Sequence, residues 1–164
     1  MASPEFADID ADGDFDLFVG REQTSTSTDP GDIFFYENLG TPQAAQWGLI
    51  TKNYISLDAG FFANPENVDI DADGDLDLFI QHGGDHLSYY QNTGTPQAPA
   101  YTWITDYYQN ISVNDASPEF GDLDGDGDPD LLMGEYAIPG PPTIYLFQNR
   151  GTPRLRRSPS TPTI

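Results

Sequence analysis

The chain has 164 residues, with 27 acidic against six basic side chains, a net charge of −21 and no cysteine. With 13% aromatic and 37% hydrophobic residues it can bury one core, which excludes a disordered acidic chain. Its charge repels phosphate backbones and excludes nucleic acid as a partner. The absent cysteine excludes disulfide and thiolate-metal frameworks, and no apolar run approaches the ~20 residues of a membrane span.

The charge is not spread evenly. Residues 8–16, 69–77 and 122–130 each hold five aspartates, 15 of the 27 acids, so they read as cation sites rather than a solubilising surface. Only Arg21 and Lys52 precede residue 150, which leaves residues 1–149 at −25. The last fifteen residues carry +4 from Arg150, Arg154, Arg156 and Arg157.

The first unit opens on Ala2-Ser3-Pro4-Glu5-Phe6, a predicted strand that enters DIDADGDFD at residue 8. Leu17-Phe18-Val19-Gly20 leaves the loop as a second strand. FFYENLGTP ends a third at Asn38, and Trp47 marks a fourth. The second unit repeats this order with Pro65-Glu66, DIDADGDLD at 69, Leu78-Phe79-Ile80, SYYQNTGTP around Asn92, and Trp103 in the equivalent outer segment. Ile55-Ser56-Leu57 matches Ile111-Ser112-Val113. The third has Pro118-Glu119, DLDGDGDPD at 122, Leu131-Leu132-Met133-Gly134 and YLFQNRGTP around Asn149. Beyond Pro153, RLRRSPSTPTI stands where a Trp-bearing strand is expected, which predicts an unpaired edge.

Repeats of this length, each four short strands, predict an all-β chain: three β-propeller-type blades over about 1–60, 61–114 and 115–153, then a basic Pro/Ser/Thr-rich tail over 154–164. A propeller closes with 4–8 blades, so three form an open arc or part of a larger propeller. From the last loop aspartate to the equivalent Asn the spacing is 22, 15 and 19 residues. The variable segments are therefore Arg21–Asp32, Gln81–His86 and Glu135–Pro142, where binding specificity usually sits.

Each loop has the pattern D-x-D-x-D-G-x-x-D. Ca²⁺ takes 6–8 oxygens at about 2.3–2.6 Å, and aspartates at positions 1, 3 and 5 turn three carboxylates inward around a turn that Gly at position 6 permits. Position 9 adds a fourth carboxylate. The predicted sets are Asp8, Asp10, Asp12 and Asp16; Asp69, Asp71, Asp73 and Asp77; Asp122, Asp124, Asp126 and Asp130. Asp14, Asp75 and Asp128 are expected to contribute mainly backbone oxygen. An EF-hand is excluded because its bidentate Glu at position 12 is replaced by Val19, Ile80 or Met133. Mg²⁺ prefers a tighter octahedron with retained waters. A metal-free acidic turn leaves close carboxylates repelling by ~4 kcal/mol per pair at intermediate dielectric.

The three loops with their Leu-rich strands and the N-x-G-T-P segments, over residues 2–153, resemble the FG-GAP/VCBS repeat family of integrin α-subunit propellers and bacterial surface proteins. The resemblance implies a propeller with one Ca²⁺ per blade and an extracellular or cell-surface setting. Met1 is followed at once by repeat sequence, so a secreted form would be a mature form or a fragment.

Other features are weaker. His82 and His86 bracket Gly83-Gly84-Asp85 and could bind a transition metal, but a polar hairpin tip is the expected reading. The many Tyr and Trp residues suit a glycan platform less well than blade packing. Asn110-Ile111-Ser112 is a sequon. No nucleophile–base pair, phosphate loop or redox motif appears, so no enzyme is expected. The expected function is a calcium-stabilised extracellular structural or adhesive module that self-assembles into a homo-oligomer or filament through its end blades. The alternatives are a lectin-like module for a glycan or protein ligand, and a fragment of a larger propeller.

Overall fold

The computed structural model describes residues 2–21, 33–55, 62–135, 140–151 and 156–157. Strands β1 (Ala2–Ala7), β2 (Asp16–Arg21), β3 (Ile33–Asn38) and β4 (Trp47–Thr51) form one antiparallel sheet in sequence order. A second sheet has β5 (Ala63–Val68), β6 (Asp77–His82), β7 (His86–Asn92) and β8 (Tyr101–Thr105). The third has β9 (Ala116–Gly121), β10 (Asp130–Glu135), β11 (Thr143–Gln148) and β12 (Arg156–Arg157). The fold is all-β, three propeller-like blades in an arc that does not close. Each Asp-rich segment joins the first two strands of its blade.

The core lies between blades. Period-2 alternation gives every strand two faces, and both are apolar where a blade has neighbours on both sides. Phe18 and Ile33 of the first blade meet Ala63, Leu78, Ile80 and Tyr90 of the second. Phe79, Leu87 and Tyr89 of the second meet Ala116, Leu131, Met133 and Phe147 of the third. Phe18 stacks on Phe35 at 5.0 Å, and Phe79 reaches across to Phe120 at 4.6 Å. Phe18 and Phe79 have no exposed surface, and burying each such ring contributes about 1.5–3 kcal/mol. The central blade, covered on both sides, has every residue of β6 buried.

The innermost strands add a polar seam. Glu66 accepts the backbone N–H of Phe120 in the next blade at 3.3 Å, and Glu5 accepts that of Asn67. Burial, then the neighbouring glutamates, raises the Glu66 carboxyl to about 8. Burial and Glu119 raise that of Glu5 to about 7.

Three details refine the sequence reading. Trp47 pairs with Asn38, whereas Asn92 pairs with Tyr101, so the two tryptophans share the outer strand but sit two residues apart in register. The third sheet is not bare at its outer edge. Arg156 and Arg157 of the basic tail pair with Gln148 and Phe147, so part of the tail belongs to the blade. Of the variable segments, Gln81–His86 is a tight hairpin closed by the His82–His86 pair. Residues 22–32 and 136–139, like Ser56, Leu57 and 158–164, lie outside the described residues.

Candidate metal centres

The three Asp-rich segments share one conformation, built by their own side chains. Asp8 accepts the backbone N–H groups of Asp12 and Gly13 at 3.0 and 3.1 Å, and Asp69 those of Asp73 and Gly74 at 3.1 and 3.0 Å. Asp122 does the same for Gly125, Asp126 and Gly127. Asp12, Asp73 and Asp126 in turn accept the N–H of Asp14, Asp75 and Asp128. The curl needs left-handed backbone at position 6, met by Gly13 (φ 97°), Gly74 (φ 93°) and Gly127 (φ 95°). It also needs it at position 4, where Ala11 (φ 56°), Ala72 (φ 61°) and Gly125 (φ 82°) stand. The sequence reading missed this second left-handed residue; the Ala-to-Gly change in the third loop was the available signal.

The curl gathers the carboxylates at positions 1, 3 and 5. In each of the sets Asp8–Asp10–Asp12, Asp69–Asp71–Asp73 and Asp122–Asp124–Asp126, one oxygen per residue lies within 4.8 Å of the others. Two oxygens bound to one Ca²⁺ are at most about 5 Å apart, twice the ligand distance, so the spacing fits that ion. Gln91 and Gln148 donate to the position-3 carboxylates of Asp71 and Asp124 at 3.1 and 3.3 Å. At the equivalent place on β3 stands Glu37, which adds a carboxylate to the first blade.

Position 9 is not part of these clusters. Asp16, Asp77 and Asp130 are buried at the start of the second strand. Each accepts the N–H of the asparagine ending the third strand: Asn38 at 2.9 Å, Asn92 at 2.7 Å and Asn149 at 2.8 Å. The second oxygen of Asp77 takes the Tyr89 hydroxyl at 3.0 Å, and that of Asp130 the Leu123 N–H at 3.3 Å. The second oxygen of Asp16 is buried without a hydrogen bond, although the Ile9 N–H lies close enough to favour its ionised form. Asparagine carries the relay onward, since Asn38 Oδ1 accepts Gly40 and Gln46 N–H, and Asn92 Oδ1 accepts those of Gly94 and Ala100.

Position 7 is buried in the first two loops. Asp14 and Asp75 are only 8% exposed, and each leaves Oδ1 buried with no hydrogen-bond partner, although the Asn38 side chain lies close enough to Asp14 to favour its ionised form. Burial, then Asp12 and Asp73 respectively, raises both carboxyls above the usual range. Burial raises Asp16 and Asp77 to about 6. Buried oxygens without donors, beside three converging carboxylates, are what a hard cation would satisfy. The donor set is all oxygen, and it fits Ca²⁺ better than a metal seeking nitrogen or sulfur.

The two histidines are joined to their surroundings. His82 meets Ser88 at 2.7 Å, and His86 meets the Tyr107 hydroxyl at 2.7 Å. Ser88 donates to Asp106 at 2.9 Å, so the aspartate orients the serine rather than the imidazole, and Ser88 has no exposed surface. These are the residue types of a nucleophilic triad in a different order, closed to a substrate. Asn110 is exposed. Among the described residues no helix is long and apolar enough to cross a membrane.

Residues 69–133, which contain the second loop and reach through the third, match the family described as FG-GAP-like repeat. No curated protein and no solved structure matches the chain.

Proposed function

With an FG-GAP-like repeat at its centre, the chain is, we propose, a calcium-stabilised structural or adhesive module that works outside the cell. The observation that carries this reading is the convergence of three aspartate carboxylates in each loop, with the buried Asp14 and Asp75 carboxylates beside two of them. One Ca²⁺ per blade would be held by Asp8, Asp10 and Asp12; by Asp69, Asp71 and Asp73; and by Asp122, Asp124 and Asp126. Asp14 and Asp75 would add an oxygen each. The ion neutralises a cluster that otherwise repels itself, and fixes the turn that leads into the buried second strand. Open, carboxylate-rich loops of this kind fill where Ca²⁺ is millimolar, the extracellular regime, and FG-GAP repeats are typical of extracellular proteins.

Thermal melting in excess EDTA and in millimolar Ca²⁺ tests it. Binding to the native state alone adds about 2.7 kcal/mol per site at a hundredfold excess over Kd, so the midpoint should rise by many degrees. Equal midpoints reject the reading.

A second reading, a glycan-binding module, is favoured by one observation. Phe6, Phe15 and Trp47 are largely exposed around a cavity of about 390 Å³ that Asp8, Asp14 and Asn38 also line. A glycan array with Trp47→Ala as control separates it from the first.

A further inference from the structure

The two blade interfaces inside the chain follow one rule, and each end of the arc presents one half of it. The leading face of a blade packs on the trailing face of the next. On the trailing side, Ala63, Leu78 and Ile80 of the second blade are at most 2% exposed, and Ala116, Leu131 and Met133 of the third at most 1%. Their counterparts by strand register in the first blade are Ala2, Leu17 and Val19; Ala2 is exposed and the other two are partly exposed. On the leading side, Phe18 and Ile33 of the first blade and Phe79 and Leu87 of the second are at most 1% exposed. In the third blade Leu132 and Ile144 hold those positions, both partly exposed.

Two features of the third blade's leading face match those with which the first blade receives the second. At the first interface Gly20 lies under the Ala63 carbonyl, which would stand 1.9 Å from an added Cβ, so that close approach requires glycine, whereas Gln81 holds the same place at the second. Gly134 is its equivalent in the third blade, and nothing among the described residues lies within 4 Å of the same point. The glutamate seam repeats the pattern. Glu5 holds the Asn67 N–H and Glu66 the Phe120 N–H, whereas Glu119 is exposed and holds no such N–H among the described residues. Phe6 occupies the place of Asn67 and Phe120 on the free edge of β1.

We propose that the leading face of the third blade receives the trailing face of the first blade of a second copy, head to tail, repeating the internal interface. The Ala2 carbonyl then lies against Gly134, Leu17 and Val19 pack on Leu132 and Ile144, and Glu119 accepts the Phe6 N–H. The first blade's trailing face also bears Arg21 and Lys52, which lie over the Phe34 ring at 5.2 and 5.8 Å. They are the only Lys or Arg residues before residue 150, so they lower the like-charge repulsion between two acidic chains on this face. The contact joins different surfaces, so it closes a ring of arcs or runs on as a filament, according to the rotation at each step. The inference names the partner of the structural module proposed above.

Light scattering of the whole chain in Ca²⁺ should show particles of two or more chains. Gly134→Val blocks the leading face without meeting a neighbour among the described residues, and Val19→Asp charges the trailing face. Each variant alone should be an 18 kDa monomer with wild-type circular dichroism. Mixed in equal amounts they should form a particle of twice that mass, because each keeps one sound face. Leu146→Asp, on the same face as Gly134, replaces Gly134→Val if that variant misfolds. A monomeric wild type, or folded single variants that still assemble, overturns the proposal. A chain that gains melting temperature with Ca²⁺ yet stays monomeric sinks this inference alone, whereas one that assembles but ignores EDTA sinks only the calcium reading.

Discussion

Asp77 holds the end of the third strand of its blade: its carboxylate accepts the Asn92 N–H at 2.7 Å across fifteen residues of chain. The same side chain takes the Tyr89 hydroxyl, and it is 1% exposed. Asp77→Ala should therefore leave a buried N–H without an acceptor and lower stability by about 1.5–3 kcal/mol, the range for hydrogen bonds to charged groups. Asp77→Asn keeps the Oδ1 acceptor and should stay near wild type in EDTA. Urea unfolding of both variants in EDTA checks this, and an unchanged midpoint for Asp77→Ala contradicts it. If Asp77→Asn also keeps its gain from Ca²⁺, position 9 is a strand clamp and not a ligand.

Calcium affinity should begin to fall at a pH above the ordinary carboxylate range, where the raised Asp14 and Asp75 take up protons. Burial holds Asp16 and Asp77 at about 6 in the metal-free chain, and burial with neighbouring aspartates raises Asp14 and Asp75. Such raised groups stabilise the metal-free fold below the unfolded value of 3.8, and that contribution is lost as pH rises through about 6. Bound Ca²⁺ favours the ionised forms and reverses the sign. Melting in Ca²⁺ should weaken toward low pH, whereas melting in EDTA should not follow it. Calorimetric titration at pH 7.5 and 5.5, in buffers of different ionisation enthalpy, should show weaker binding and proton release at the lower value.

The loops and strands were legible because charge density and period-2 patterning are local signals. Fifteen aspartates in three phased nonapeptides admit few arrangements, and the Asp-to-Asn spacing located the third strand whatever the intervening length. What the sequence hid was which contact each residue makes. A calcium ligand and a buried acceptor both read as aspartate, so the sequence groups Asp77 with Asp69, Asp71 and Asp73 without showing that it accepts the Asn92 N–H. Tyr101, not Trp103, aligns with Trp47, because the register is set by pairing with Asn38 and Asn92 rather than by residue type. The bond from Phe120 to Glu66 joins residues 54 apart in different blades, and no local pattern announces it.

Glu66 gives a pH effect at the blade seam, away from the loops. Burial, then Glu5, raises its carboxyl from 4.5 to about 8. Its stabilising contribution is complete below 4.5 and is lost as pH rises through about 8. Glu66→Gln stays neutral throughout and still offers an oxygen to the Phe120 N–H. The variant should melt close to wild type at pH 4.5 and above it at pH 9. Scans at the two values decide, and a variant that melts lower at pH 9 contradicts the assignment.

The left-handed alanines offer the last test, because the three loops contain their own control. Ala11 and Ala72 hold φ near +60° at position 4, where an L side chain crowds its following carbonyl at a cost of about 1–2 kcal/mol. Gly125 takes the same place in the third loop at φ 82° without that crowding. Glycine loses more backbone entropy on folding, about 0.4–1 kcal/mol, so the net gain from Ala72→Gly should lie between zero and ~1.6 kcal/mol. Gly125→Ala should lose a similar amount. Neither change removes an oxygen, so the sign should hold in EDTA and in Ca²⁺ alike. Urea unfolding of the two variants reads it directly. Ala72→Gly less stable than wild type would mean that the alanine methyl makes a contact outweighing the backbone strain.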